Sequence, residues 1–80
     1  MQHKYKSLED IYIIIAQNIK KYRLVKGFTQ RELAKKSGYS YSYIKKMEGY
    51  NNKNISIKTI YNISRILEID IKYLFDDNNI

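Results

Sequence analysis

The chain of 80 residues contains no cysteine and no proline, and it has only one histidine and three glycines. Without cysteine there is neither a disulfide framework nor a thiolate metal site, which is compatible with a reducing cytosol. Without proline there is no proline-rich linker, and no internal repeat or low-complexity block divides the chain. His3 stands alone near the terminus, no phosphate-binding glycine loop occurs, and no group of Asp, Glu and His has metal-ligand spacing. An enzyme is therefore not expected, nor is a metal or organic cofactor. Long apolar runs are missing too: Ile11 to Ala16 is too short to span a bilayer, and Glu9 and Asp10 interrupt the charge pattern of a signal peptide. The basic residues do not share one amphipathic helix with an exposed apolar face, which argues against a membrane surface. The expected location is the cytoplasm.

What is present is apolar content of 44% and a net charge of +7. A chain of this length makes one domain, and folding hides only about 60% of the surface of a domain so small. Function is then expected on the surface of the core itself. The charge is uneven: residues 1 to 53 carry 12 Lys and Arg against 4 Asp and Glu, a balance of +8, whereas residues 54 to 80 carry 3 against 4, a balance of −1. A basic front and a neutral tail point to a polyanionic partner more than a uniformly charged shell would.

The apolar spacing is helical throughout. Ser7 and Asp10 have the spacing of a capping box, and Leu8, Ile11, Ile15, Ile19 and Tyr22 follow on one stripe. Gly27 suits the left-handed residue that ends this helix, and Thr29 with Glu32 forms a second capping box. Leu33 and Ala34 then face inward, Gly38 supplies another turn, and Ser40 caps a third helix carrying Ile44 and Met47. Ser56 caps a fourth helix with Ile60, Ile63, Ser64 and Leu67 on one face. Asp70 caps a last one, with Ile71, Leu74 and Phe75 inward and Ile69 in the connection. The spacing predicts an all-α domain over residues 7 to 75, preceded by a flexible segment 1 to 6 and followed by a tail 76 to 80. Tyr22, Tyr39 and Tyr61 are spaced as packing residues, while Tyr41, Tyr43 and Tyr50 are the tyrosines free for another task.

The stretch from Gly27 to Glu48, Gly-Phe-Thr-Gln-Arg-Glu-Leu-Ala-Lys-Lys-Ser-Gly-Tyr-Ser-Tyr-Ser-Tyr-Ile-Lys-Lys-Met-Glu, resembles the Cro/repressor (XRE) family of helix-turn-helix proteins. Residues 15 to 75 fit its compact five-helix, lambda-repressor-like domain, with the motif at 29 to 48. The resemblance implies a transcription regulator, prokaryotic or phage-encoded, whose helix 3 enters the major groove of double-stranded DNA while the start of helix 2 holds the backbone. It implies that Gln30 meets a phosphate and that Arg23 and Glu48 form a bridge orienting helix 3. Lys53 to Ile57, with Tyr43 and Ile44, is most similar to the restriction-modification controllers. One departure stands out. The family often keeps a glycine two residues beyond the glutamate, whereas here Gly49 follows Glu48 directly and Tyr50 takes that place, so the exit of helix 3 is expected to differ.

The residues agree with the resemblance. With Ile44 and Met47 buried, a step of about 100° per residue puts Ser42, Lys45, Lys46 and Gly49 on the opposite side, flanked by Tyr41 and Tyr43. Hydroxyls, lysines and a tyrosine ring are chemistries that read base edges. Tyr41, Ser42, Lys45 and Lys46 are the expected base contacts, and Thr29, Gln30, Arg31, Tyr43 and Asn18 the expected backbone contacts. The plainer alternative is an ordinary solvated basic face. A homodimer on a pseudo-palindromic operator is expected, with Ile66, Tyr73 and Ile80 as its interface. Ile13 and Ile14 lie off the stripe of helix 1 and offer a second apolar surface. Two alternatives stay open: an antitoxin-type module that binds a small protein as well as its operator, and a nonspecific nucleic-acid binder.

Overall fold

The computed structural model describes residues 6 to 49 and 55 to 77. Tyr50 and Ile80 lie outside them. Four α-helices are present: α1, Leu8–Val25; α2, Gln30–Ser37; α3, Tyr41–Glu48; and α4, Ile57–Ile66. Where the spacing predicts a fifth α-helix, the chain instead forms a 3-10 helix, Ile71–Phe75. No strand occurs among the described residues.

Each helix starts where its cap dictates. Ser7 and Asp10 form a reciprocal capping box on α1, and Thr29 and Glu32 form another on α2. Ser40 accepts from the Tyr43 N–H and Ser56 from the Thr59 N–H at the starts of α3 and α4. At the end of α1, Gly27 takes φ +77°. There the Phe28 N–H reaches the Arg23 carbonyl and the Gly27 N–H reaches the Leu24 carbonyl, the paired bonds of a Schellman stop. Helix α4 stops in the same way with no glycine: Glu68 holds φ +58°, while Ile69 and Glu68 donate to the carbonyls of Ser64 and Arg65. No residue pattern announced that turn.

The core is made of Ile15, Ile19, Leu33, Ala34, Ile44, Met47, Ile60, Ile63, Leu67 and Leu74. Helix α1 packs on α3 and on the 3-10 helix, α2 on α3 and α4, and α4 on the 3-10 helix. Three expectations need correction. Leu8 belongs to the predicted stripe, yet it is 61% exposed because the first turn of α1 extends past the core. Ile14 is buried, so only Ile13 of that pair reaches the surface, at 36% exposure. Tyr61, expected to pack, is half exposed, because it stands at the edge of the α4 face formed by the buried Ile60, Ile63 and Ser64.

A five-residue 3-10 helix cannot hold itself in place. Asn18 fixes it: its side-chain amide donates to the Leu74 carbonyl at 3.0 Å and to the Asp76 carbonyl at 2.7 Å. Those bonds require a side chain wholly inside the protein, and Asn18 is completely buried.

Candidate nucleic-acid interface

Helices α2 and α3 form the motif, and a buried ion pair sets its orientation. The Arg23 Nε donates to Glu48 Oε2 at 2.6 Å, and its Nη2 donates to Glu48 Oε1 at 2.9 Å. Its remaining Nη1 donates to the Phe28 carbonyl at 2.7 Å. The side chains of Arg23 and Glu48 are only 8% and 3% exposed. A bidentate pair of this kind fixes angle as well as distance. It therefore ties the last residue of α3 to the final turn of α1.

The same glutamate reaches α2. Gln30 donates from Nε2 to Glu48 Oε1 at 3.1 Å, so the amide at the start of α2 is oriented from within. The resemblance names all three residues; the bond between Gln30 and Glu48 emerges only in the fold. Beside it lies an open depression of about 450 Å³ lined by Arg23, Thr29, Gln30, Arg31 and Tyr41.

The outer face of α3 carries Ser42, Lys45 and Lys46, all exposed. Tyr41 joins this face to α2. Its ring lies 4.1 Å from the Arg31 guanidinium and 5.2 Å from the Lys45 ammonium. The expected base contacts and the contacts expected at the start of α2 are thus brought onto one continuous side.

Two expected contacts are placed differently. Asn18 is enclosed with both donor directions used on the 3-10 helix and its exit, so it has no reach to a phosphate. Tyr43 is half-buried at the seam with α4. Its ring centroid is 5.2 Å from that of Tyr39, and its hydroxyl donates to Thr59 Oγ1 at 3.5 Å. Tyr39 joins the same cluster, donating to Thr59 Oγ1 at 3.5 Å and accepting from Asn62 at 3.0 Å. Thr59 and then Asn62 hold the Tyr39 phenol below its ordinary pKa. Thr59 and Asn62 escaped the sequence reading because a threonine and an asparagine on a helix carry no signal of their own.

Of the departure at the exit of α3, Tyr50 lies outside the described residues and Gly49 within them. Its φ is −81° and its ψ 178°, extended backbone that any residue adopts, while its N–H closes on the Lys45 carbonyl at 3.0 Å. The expected interface residues are also separated in character. Ile66 is partly buried against the core and lines a depression with Phe28, whereas Tyr73 is exposed with its ring centroid 6.3 Å from that of Tyr22. Among the described residues, no helix is long and apolar enough to cross a membrane, and no group of three metal-ligating side chains occurs.

Four helices and a 3-10 turn, with short α2 and α3 meeting across the turn at Gly38 and a buried ion pair tying α3 to α1, define the helix-turn-helix class. The chain belongs to that family: the model described as helix-turn-helix matches residues 19 to 74. It is 35% identical over 66 residues to the HTH-type transcriptional regulator SinR of Bacillus subtilis, a stretch covering 82% of this chain and 60% of the relative. The chain thus spans less than two thirds of the length of that curated relative. Among solved structures, the restriction-modification controller protein C.AhdI from Aeromonas hydrophila is similar at 30% identity and a TM-score of 0.74, covering 80% of this chain and 96% of that one. The structure of SinR in complex with DNA is similar at 37% identity and a TM-score of 0.72, covering 78% and 98%.

Proposed function

We propose that the chain is a sequence-specific double-stranded DNA-binding transcriptional regulator that acts as a homodimer in the cytoplasm and is not an enzyme. The observation that carries this reading is the continuous side formed where Tyr41 joins the Ser42, Lys45 and Lys46 face of α3 to Gln30 and Arg31 of α2. In this reading α3 lies in the major groove, with Tyr41, Ser42, Lys45 and Lys46 at base edges. Thr29, Gln30 and Arg31 hold the backbone from α2, while Tyr43, engaged with Tyr39 and Thr59 at the seam with α4, braces α3 from behind. Gln30 meets its phosphate in a preset orientation because Glu48 holds its amide. Two copies would place their α3 helices roughly 34 to 36 Å apart on a pseudo-palindromic site. Tyr73, with the exposed edge of Ile66, supplies the dimer surface; Ile80, expected there too, lies outside the described residues. The complex of SinR with the SinI protein, a relative at 36% identity, supports a second reading in which a small protein partner also binds.

Selection of bound sites from random duplex DNA at fixed salt tests the proposal, with the expected result a two-fold-related motif. Ser42→Ala and Lys46→Ala should each lose about 1 to 3 kcal/mol on that motif and relax its base preference. No enrichment over random duplex would overturn sequence-specific binding, and a strict monomer by sedimentation, free and on DNA, would overturn the dimer.

A further inference from the structure

We propose that Arg31, although it stands on α2, is a base-reading residue, and that Tyr41 is the platform that aims it. The inference rests on the DNA-binding reading above and exchanges two roles within it. There Arg31 holds the backbone and Tyr41 touches a base.

The geometry of the Tyr41 ring motivates the exchange. The Arg31 guanidinium carbon lies over the ring, 4.1 Å from its centroid, and the Lys45 ammonium is 5.2 Å from the same centroid. A ring covered by a guanidinium and approached by an ammonium is poorly placed to meet a thymine methyl with its face. It is well placed to hold cations, since its face is the negative end of the aromatic quadrupole.

The chemistry of the stacked group gives it its task. Guanidinium stacking uses the face of the plane and leaves the N–H groups on its edge free for a bidentate partner. Among the described residues, no carboxylate pairs with Arg31. The contrast with Arg23 is direct, because there Glu48 and the Phe28 carbonyl take the whole fork. The neighbouring Glu32 is held by the backbone and side chain of Thr29 in the capping box, so it does not compete for Arg31. Tyr41 is the first residue of α3. A cation laid on it sits at the end of the helix whose N-terminal residues meet base edges in this motif.

A free, flat, preset fork at that place matches the O6 and N7 acceptors of guanine, which arginine contacts in bidentate fashion. Stacking also restricts a long side chain before binding, which lowers the ordering cost on DNA. The assigned ligand is therefore a guanine edge in the major groove, read by Arg31 from α2, with Tyr41 as a positioning residue.

The test uses the full chain, the duplex selected by the wild-type protein and a random duplex, at one salt concentration. Each guanine of the selected site is replaced in turn by 7-deazaguanine, which lacks the N7 acceptor. Arg31→Lys keeps the charge without the fork or the stack, Tyr41→Leu removes the ring and Tyr41→Phe keeps it. Circular dichroism confirms that each variant is folded.

Expected for Arg31→Lys is a loss of about ten- to a hundredfold on the selected duplex with affinity for random duplex retained. One 7-deazaguanine position should weaken the wild type clearly more than it weakens Arg31→Lys. Tyr41→Leu should reproduce the loss, and Tyr41→Phe should not. Full discrimination by Arg31→Lys, or equal losses on both duplexes, would make Arg31 a backbone contact and overturn the proposal. A normal Tyr41→Leu variant would overturn the platform role. Failure of the wild type to prefer its selected duplex overturns the parent reading, an outcome distinct from a wild type that discriminates while Arg31→Lys does so equally well.

Discussion

Replacing Glu48 by leucine should strongly destabilise the protein, while replacing Arg23 by methionine in the same chain should restore much of what was lost. The Arg23 guanidinium makes two bonds to Glu48 and one to the Phe28 carbonyl, in a place where neither side chain of the pair is more than 8% exposed. In Glu48→Leu the guanidinium stays inside with one carbonyl for company, and breaking a buried pair in this way costs about 3 to 5 kcal/mol. A domain of this length has a total stability of roughly 4 to 12 kcal/mol at the usual value per residue. The single variant therefore loses between a quarter of its stability and all of it. In Arg23→Met with Glu48→Leu neither charge remains, and the main debt is the Phe28 carbonyl, a loss of about 1 to 3 kcal/mol. Urea unfolding followed by far-UV circular dichroism measures each corner of the cycle. The double variant should be more stable than Glu48→Leu alone. A Glu48→Leu cost below about 1 kcal/mol, or a double variant equal to the sum of the singles, would refute the account of a buried, strongly coupled pair.

Gly38 has φ +81° with open space around its missing side chain, so Gly38→Ala should lose about 1 kcal/mol from backbone alone. Gly49→Ala should be close to neutral in the same urea titration, because Gly49 is extended and an added Cβ would lie 3.4 Å from the Lys45 carbonyl oxygen. Asn18→Ala removes two donors from buried carbonyl partners and should cost about 2 kcal/mol or more. At a temperature where that variant is folded, its affinity for duplex DNA should match the wild type, and a charge-like loss on DNA would restore Asn18 to the interface. Acid should weaken the fold through α2. The Thr29 N–H and hydroxyl hold the Glu32 carboxyl below its ordinary value of 4.5. A depressed carboxylate contributes stability above its unfolded pKa and loses it as pH falls through the folded one. The thermal midpoint should therefore drop below about pH 4.5, in a limb that is shallower in Glu32→Gln.

The legible parts of this chain are those that local chemistry controls. Ser7, Thr29, Ser40 and Ser56 are caps because a short side-chain oxygen three residues ahead of a free N–H satisfies it wherever the rest of the fold lies. The inward positions of α2, α3 and α4 follow from period alone, and Arg23, Glu48 and Gln30 were named from the family resemblance. What the residues did not disclose depends on distant partners. Asn18 reads as a surface residue near lysines until the Leu74 and Asp76 carbonyls, 56 and 58 positions away, are brought to it. Glu68 takes a left-handed turn usually given to glycine, held by the two Schellman bonds and an ion pair with Lys26. The last helix was predicted in the α form from its period, which does not separate five residues of α from five of 3-10 once contacts on α1 and α4 fix the element. The Arg31 and Tyr41 stack joins two helices across the turn, so no pattern within either one contains it.

Helices of eight residues, as α2 and α3 are, are too short to be stable alone, and an apolar core holds them without fixing how they are turned. Here orientation comes from directional bonds made inside. Glu48 sets the end of α3 against α1 and the amide of Gln30 at the start of α2, while Thr59 collects the hydroxyls of Tyr39 and Tyr43 at the start of α4. Each of these bonds lies beneath the exposed face rather than on it. The face is thereby left free to vary: exchanging Ser42 or Lys46 alters what is presented without touching what aims it. The reverse separation holds for the buried pair. A change at Arg23 or Glu48 alters none of the outward side chains of α3 in kind but loosens the angle at which they are offered together.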